Sequence, residues 1–273
     1  MRPMRGVLMG DKHHGNIGGL TPPGWNSVGL GEPEYRQEYQ RMRAVIWDWL
    51  EVSIQALGRV DFVVDNGDLV DGKGKRSGGT EVIFPDRKDQ VEMAVQVHRT
   101  LFPGAERFLS YGTPYHTGEE EDWEKQVAQE LNCQIGSEDT IDVRGLLINF
   151  KHQVSRSVIP HGRFTPIARD RLWNLLWAER GEYPKADLLL RSHVHYFNHC
   201  GEADWEAITL PALQGYGTKY GARRMTGVVD IGFVVIDVTS KTEYTWEKRI
   251  LRLPYAPPAI LRVLDPEGQD AGR

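Results

Sequence analysis

Cysteine is scarce: the chain's two, Cys133 and Cys200, are too few for the disulfide framework of a secreted domain, and neither sits in a Cys-x-x-Cys pattern. A reducing compartment is the expectation. Long apolar runs are missing as well. No stretch approaches the roughly 20 residues that span a bilayer, and basic Arg2 and Arg5 run into Asp11 and Lys12 before a signal-length apolar core forms. The expected location is cytoplasmic, with no membrane partner. Positive charge is not in excess either, since the formal net charge is -5, so the bulk surface does not attract nucleic acid by counterion release, although a local basic groove still can. Repeats and low-complexity tracts are absent. Gly15, Gly18 and Gly19 have the wrong spacing for a phosphate-binding glycine loop, and no Ser or Cys nucleophile with an adjacent base stands out.

What is present fits a soluble globular protein, 40% hydrophobic and 26% charged in 273 residues. One domain over residues 1–255 is expected, followed by a Pro-rich and then polar extension, 256–273, whose end from Asp265 reads as a frayed tail. Gly6 to Met9 reads as a short buried strand, followed by a Gly/Pro-rich loop to Pro33 that is longer than a structural connection needs. Residues 34 to 57 carry Tyr39, Met42, Ile46, Trp49, Leu50 and Leu57 at helical spacing, and Gly58 stops the helix. Strands follow at Val60 to Val64, Arg107 to Tyr111, Thr140 to Phe150 and Asp187 to Leu190. Helices are expected over Asp89 to Phe102, Gly118 to Leu131 and Pro166 to Arg180. The last of these carries Leu172, Leu175, Leu176 and Ala178 near one side, with Trp173 and Trp177 read as packing residues. Three further strands, Ala207 to Leu210, Val228 to Val238 and Tyr244 to Leu253, complete an α/β chain. Alternating units first and antiparallel-looking strands later favour a layered sheet core closed by helices over a plain doubly wound sheet.

Five short segments offer metal ligands just after apolar runs, where an α/β sheet places its functional groups. They are Asp11-Lys12-His13, Asp68 within Gly67-Asp68-Leu69-Val70-Asp71, Thr113 to His116, His152, and His193-Val194-His195. Any one of these histidines alone is as simply a hydrogen-bonded core or surface residue, and an Asp-x-His triplet is common. The set is what carries weight. Asp11 and His13 can both turn toward one ion as the chain leaves its strand, although His14 leaves the register ambiguous. Glycine at 67 permits the bend that brings Asp68 close, and a carboxylate with two oxygens can bridge a pair of cations about 3.5–4 Å apart. Asp71 reads as a residue that orients a ligand, and Asp65 as a satisfied rim residue. Alternation puts His193 and His195 on one side of an extended segment with Val194 facing away. Mixed carboxylate and imidazole donors suit manganese, iron or zinc better than magnesium, with nickel a further option.

The ordered set resembles the calcineurin-like metallophosphoesterases, whose pattern runs Asp-x-His, Gly-Asp-x-x-Asp, Gly-Asn-His-Asp/Glu, a lone His, and Gly-His-x-His. Asp11 to His13, Gly67 to Asp71, His152 and Ser192 to His195 match, with Ser192 in place of glycine, and the resemblance spans residues 5 to 253. It implies a four-layer αββα sandwich and two divalent metal ions, with manganese first among the options. Asp11, His13, Asp68 and His195 would hold one, and Asp68, His152 and His193 the other. The third motif departs: Gly112-Thr113-Pro114-Tyr115-His116 has Thr113 where the family has its ligand asparagine, and its histidine is displaced by two residues. His116 is then either a substitute ligand or the proton donor to the leaving group, and the donor role is favoured. The segment Gly19 to Pro23 is similar to that of phage and prophage members.

What the resemblance implies is phosphoester hydrolysis by metal-activated water without a covalent intermediate. A phosphodiesterase or nuclease acting on DNA, RNA or nucleotides, a small-molecule or phosphoprotein monoesterase, and a non-catalytic binding module on a decayed site are the readings compared. The first is favoured. Candidate lining segments are Asn16 to Trp25, Asp71 to Gly79, Arg156 to Arg171 and Gln214 to Arg224, the last two basic and the last also carrying Tyr216 and Tyr220. The sequence leaves the oligomeric state open.

Overall fold

Strand β1 (Met4–Met9) shows the logic of the architecture in three residues. Val7 and Met9 pack with Ile46, Trp47 and Leu50 of helix α1 (Glu34–Leu57), whereas Leu8, pointing the opposite way, packs against a second sheet. Side chains of a strand alternate between faces, so a strand apolar on both sides must be covered on both. The computed structural model describes residues 2–27, 33–117, 122–215 and 229–253.

Six strands form the first sheet: β1, then β2 (Phe62–Asp65), β3 (Glu106–Ser110) and β4 (Gln134–Gly136), all parallel, with β10 (Ile231–Ser240) and β11 (Glu243–Leu251) antiparallel on the other side of β1. The second sheet has the order β5 (Asp139–Val143), β6 (Leu146–Phe150), β7 (Leu188–Arg191), β9 (Trp205–Thr209), β8 (Asn198–Glu202), with β6, β7 and β9 parallel. Between the sheets lie Leu8, Phe62, Val64, Val234 and Ile236 from one side and Ile148, Phe150, Leu188, Leu190 and Ile208 from the other, all fully or almost fully buried. Helices α1 and α2 (Arg87–Leu101), with α4 (Trp123–Leu131), cover the outer face of the first sheet. Helix α5 (Phe164–Glu179) lays Ile167 against Leu189 and Ala207 on the outer face of the second. The result is an αββα sandwich, and truncating an inter-sheet residue such as Ile148 to alanine is expected to cost about 2–5 kcal/mol.

Helix α1 has the bounds its periodicity predicts, ending at Gly58, whose φ of 70° with ψ of -127° is a backbone conformation open to glycine. Asp86 caps α2 by accepting from the Lys88 amide, and Asp122 caps α4 by accepting from the amides of Glu124 and Lys125. Of the acidic run expected at the start of that helix, residues 118–121 lie outside the described residues, as do residues 216–228 of the basic loop and the extension 256–273. Two expectations are corrected. The single strand over Thr140 to Phe150 is a hairpin, because Arg144 and Gly145 both take positive φ (56° and 87°) and form the two-residue turn that lets β5 fold back on β6. Trp173 is not a packing residue: α5 buries Pro166, Ile167, Arg171 and Asn174 and leaves Leu172, Trp173, Leu175 and Leu176 exposed. Strands β4 and β8 were not expected.

Candidate metal centre

The parallel strands β1, β2 and β3 of one sheet and β6 and β7 of the other deliver five loops carrying the motif residues. Backbone bonds lock the first two loops together: the amides of Asp11, His13 and His14 donate to the carbonyls of Gly67, Asp68 and Leu69 at 2.9, 2.9 and 2.8 Å. Seven described non-glycine residues have left-handed backbone, and five of them are Asp11, His13, Asp68, His193 and His195, with φ between 48° and 71°. Each costs roughly 1–3 kcal/mol, a strain that concentrates where surrounding structure fixes functional groups. The extended conformation expected for residues 193–195 is therefore corrected. Left-handed turns at His193 and His195 bring both rings to the cluster while Val194 is buried against the α5 side.

Three overlapping groups of potential ligands result: Asp11, His13 and His195; His13, Asp68 and His116; and Asp68, His152 and His193. His195 Nε2 is 3.2 Å from Asp11 Oδ1 and 3.3 Å from His13 Nε2, and His152 Nε2 is 3.1 Å from Asp68 Oδ2. The Thr113 hydroxyl lies 3.2 Å from Asp68 Oδ2, 3.2 Å from His193 Nδ1 and 3.4 Å from His152 Nε2. Two donors about 2.1 Å from one ion at angles of about 90–110° stand roughly 3.0–3.4 Å apart, so these separations fit donors that share a cation. Asp11, His13, Asp68 and His152 are almost wholly buried, while the side chains of His195 and His116 remain 16% and 20% exposed, so the cluster opens to solvent on their side.

His14 does not compete for the site. Its Nδ1 meets the Leu20 carbonyl at 2.6 Å, and burial followed by the nearby Lys12 charge lowers its pKa to about 3, which keeps it neutral. The two-residue displacement of His116 is absorbed by the single turn α3 (Pro114–Thr117), in which the His116 amide donates to the Thr113 carbonyl. His116 returns over Asp71, its Nδ1 2.9 Å from the Asp71 carbonyl and 3.4 Å from Oδ1, with its ring 4.6 Å from that of His13. Asp71 Oδ1 is also 3.3 Å from His13 Nδ1, and Asp71 Oδ2 accepts from Asn16 Nδ2 at 3.1 Å. Close approach explains two glycines: a Cβ on Gly112 would stand 2.2 Å from both the Asp68 amide nitrogen and its Oδ1, and one on Gly67 would strike the His152 ring.

Several supporting residues escaped the sequence reading. Asn66 ties four loops together: its side chain donates to the Lys151 carbonyl and Ser192 Oγ and accepts from Ser110 Oγ, and its carbonyl lies 2.7 Å from His152 Nδ1. Ser192, in the motif's glycine position, is buried and used in that network. Glu124 reaches in from α4 to accept from the amides of Leu69 and Gly112 at 2.7 and 2.6 Å, and Gln90 from α2 accepts from those of Asp71 and Gly72. An Asn beside Asp65 and Gly67 was a weak signal; nothing local marked Glu124 or Gln90. Asp65 is no rim residue. It is fully buried, pairs with the Lys12 ammonium and lies 2.8 Å from His98 Nε2.

Charge follows the geometry. Burial opposes ionisation of Asp68, but His152 and His116 hold its pKa well below the ordinary value, and His195 does the same for Asp11. Burial also disfavours the imidazolium of His116 and His152, yet Asp68 with Asp71 raises the first to about 9, and Asp68 the second to about 10. His13 and His193 are shifted down, by burial first and then by neighbouring imidazoles. Concentrated buried charge of this kind, with donors spaced to share an ion, suits divalent cations.

Of the candidate lining segments, Asn16 adjoins Asp71. Arg163 covers the Tyr196 ring at 4.4 Å, and Arg169 donates to Ser155 Oγ. Arg171 is excluded as a lining residue because it is buried under α5, donating to the Ala186 carbonyl. Lys219, Arg223, Arg224, Tyr216 and Tyr220 lie outside the described residues. Among the described residues no helix is long and apolar enough to cross a membrane.

No model of a known protein family matches the chain, and no curated protein matches it. Solved structures do overlap with it. An archaeal phosphodiesterase is 15% identical, with 91% of this chain and 100% of the other covered and a TM-score of 0.46. Vps29 from Entamoeba histolytica, solved in complex with zinc, is 13% identical over 90% and 99% at a TM-score of 0.42. A conserved uncharacterized protein from Streptococcus pneumoniae, described as a predicted phosphoesterase, is 12% identical over 91% and 99% at 0.39. With its two mixed sheets face to face, helices on both outer faces and the motif residues at strand ends, the chain has the αββα layering that its resemblance to the calcineurin-like metallophosphoesterases implies.

Proposed function

We propose that this protein is a dinuclear, metal-dependent phosphodiesterase acting on nucleic-acid or nucleotide esters. The observation that carries the reading is the position of Asp68, whose Oδ2 lies 3.8 Å from His13 Nε2 on one side and 3.1 Å from His152 Nε2 on the other. One carboxylate thus stands between two ligand groups. Asp11, His13, Asp68 and His195 would hold one ion, and Asp68, Thr113, His152 and His193 the other, with manganese suited to the mixed oxygen and nitrogen donors. Bound divalent cations would neutralise charge on the phosphate oxygens and acidify a water for attack on phosphorus.

The chain's own residues supply the proton and the orientation. With Nδ1 held by the Asp71 carbonyl, His116 keeps Nε2 for the proton given to the departing ester oxygen as the phosphorus–oxygen bond breaks. Asp71, close to both His116 and His13, positions the two rings and takes no part in the bond changes. A second ester arm needs a binding surface beyond the reacting phosphate. Arg156 and Arg163, in the segment that follows His152, would supply positive charge for such a surface, and this favours a diester over a monoester.

The test is turnover of bis(p-nitrophenyl) phosphate beside p-nitrophenyl phosphate by metal-stripped protein titrated with manganese. Faster diester turnover is expected, with a loss of roughly 10²–10⁴-fold in His116→Ala on esters with poor leaving groups. Faster monoester turnover would make the protein a phosphomonoesterase, and no turnover by fully loaded protein would leave a binding module.

A further inference from the structure

Helix α5 exposes Leu172, Trp173, Leu175 and Leu176 beside Thr165, Arg169 and Glu179, while two of its four buried residues, Arg171 and Asn174, are polar. Arg171 and Asn174 are buried, the first over the Trp205 ring and donating to the Ala186 carbonyl, the second bonded to the backbone of Pro184 and Ala186. Leu172, Trp173 and Leu176 are 56%, 53% and 48% exposed, with Phe164 and Leu175 beside them. Val158 and Ile159, in the segment leading into the helix, extend the patch. Seven of the eleven exposed large apolar side chains among the described residues therefore fall within this one stretch. A solvated helix ordinarily shows the reverse pattern.

We infer that this face is the contact between two copies of the chain, α5 packed antiparallel on α5 about a twofold axis near Leu172. The seven side chains leave on the order of 600 Å² open, at the upper end of the roughly 300–600 Å² of a typical monomer's largest patch and most of the roughly 800 Å² each partner gives to a standard interface. The face is also self-complementary. Antiparallel pairing about Leu172 sets each Ala168 opposite the partner copy's Leu176, small against large, as ridges packing into grooves require. It carries Glu179, which sits at the helix C-terminus where the dipole disfavours a carboxylate, to the N-terminal end of the opposing helix, where the dipole favours it.

Sedimentation equilibrium of the manganese-loaded full chain, from micromolar to hundred-micromolar concentration, tests this. The expected result is a dimer for the parent protein and for Val52→Glu, an exposed control on α1, and a monomer for Leu172→Glu and Leu176→Glu, with circular dichroism and metal uptake unchanged. A Leu172→Cys variant is expected to cross-link to a covalent dimer under mild oxidation, since the axis would bring the two residues together. A parent protein that stays monomeric throughout would assign the face to some other partner and overturn the proposal, as would a dimer that survives both α5 charge substitutions.

Discussion

The hydroxyl of Thr113 lies 3.2 Å from His193 Nδ1, at the spacing of two donors on one cation. Threonine thus occupies the position that an asparagine holds in the motif the sequence resembles, and its amide also pins Asp68 Oδ1 at 2.6 Å. A hydroxyl is a weaker ligand than an amide oxygen. Thr113→Val, which keeps the shape and the backbone bond, is expected to weaken binding of the second manganese about tenfold while leaving the first unchanged, and Thr113→Asn to strengthen it. Calorimetric titration of the two variants checks this. Equal loss at both sites would remove Thr113 from the ligand set.

Protons and metals would compete for the same nitrogens, so a characteristic pH response is expected of the metal-free protein. The folded pKa values of His116 and His152, about 9 and about 10, lie above the ordinary imidazole value near 6.5, and burial lifts that of Glu124 to about 8. Groups raised on folding contribute stability that is fully present below their unfolded pKa and lost as pH rises through the folded one. The Tm of chelator-treated protein is therefore expected to fall from about pH 4.5, where Glu124 begins to contribute, to about pH 10, and His116→Asn to flatten the part between about 7 and 9. Lowered pKa values at Asp11, Asp68 and Asp71 add a separate loss on the acid side, below about pH 4. A Tm that rises from pH 7 to 9 would contradict the assignment.

Glu124 holds two loops by their backbones and touches no candidate ligand. Removing its carboxyl group strands two amides, those of Leu69 and Gly112, each at about 1–3 kcal/mol, so Glu124→Ala is expected to lower stability by about 2–6 kcal/mol. Gln is a poor substitute, because one of its two terminal atoms would point a donor at a donor. Urea unfolding of both variants in the metal-free state measures the cost, and a change under about 0.5 kcal/mol would show that the loops hold themselves.

Beneath the centre, Lys12 and Asp65 form a fully buried ion pair, with His98 on the same carboxylate oxygen as Lys12. Burial opposes charge on both partners; it lowers the Lys12 pKa, and against it Lys12 and His98 hold Asp65 at about 2. Taking away one partner strands the other, so Lys12→Met is expected to cost about 3–5 kcal/mol and the double variant Lys12→Met with Asp65→Leu much less than the two singles combined. A thermodynamic cycle on the four proteins reads this directly, with additive effects as the contrary outcome.

How much of this was legible beforehand depended on whether the signal was local. Apolar runs ending in Asp, His or Gly marked Asp11, His13, Asp68, His152, His193 and His195, which the fold brings together, because a strand end and its candidate ligand are neighbours in sequence. Glu124 and Gln90 reach the centre from the helices α4 and α2, and a buried carboxylate on a helix looks in sequence like any solvated one. The hairpin at Arg144 and Gly145 hid inside an alternation that continues through the turn. Helix α5 shows a different limit: its period set out the leucine stripe, but whether a stripe faces the core or solvent is decided by what the opposite side, here Arg171 and Asn174, finds to bond. The five left-handed backbone positions had no sequence signature beyond the tolerance of Asp and His for that region.

The central claim is that two cations share Asp68, and metal stoichiometry read together with turnover tests it most directly. Metal-stripped protein titrated with manganese is expected to bind two equivalents per chain, with bis(p-nitrophenyl) phosphate hydrolysis rising steeply as the second site fills, and Asp68→Ala is expected to weaken both sites and abolish turnover. Binding of a single equivalent, or full activity with Asp68 removed, would contradict it.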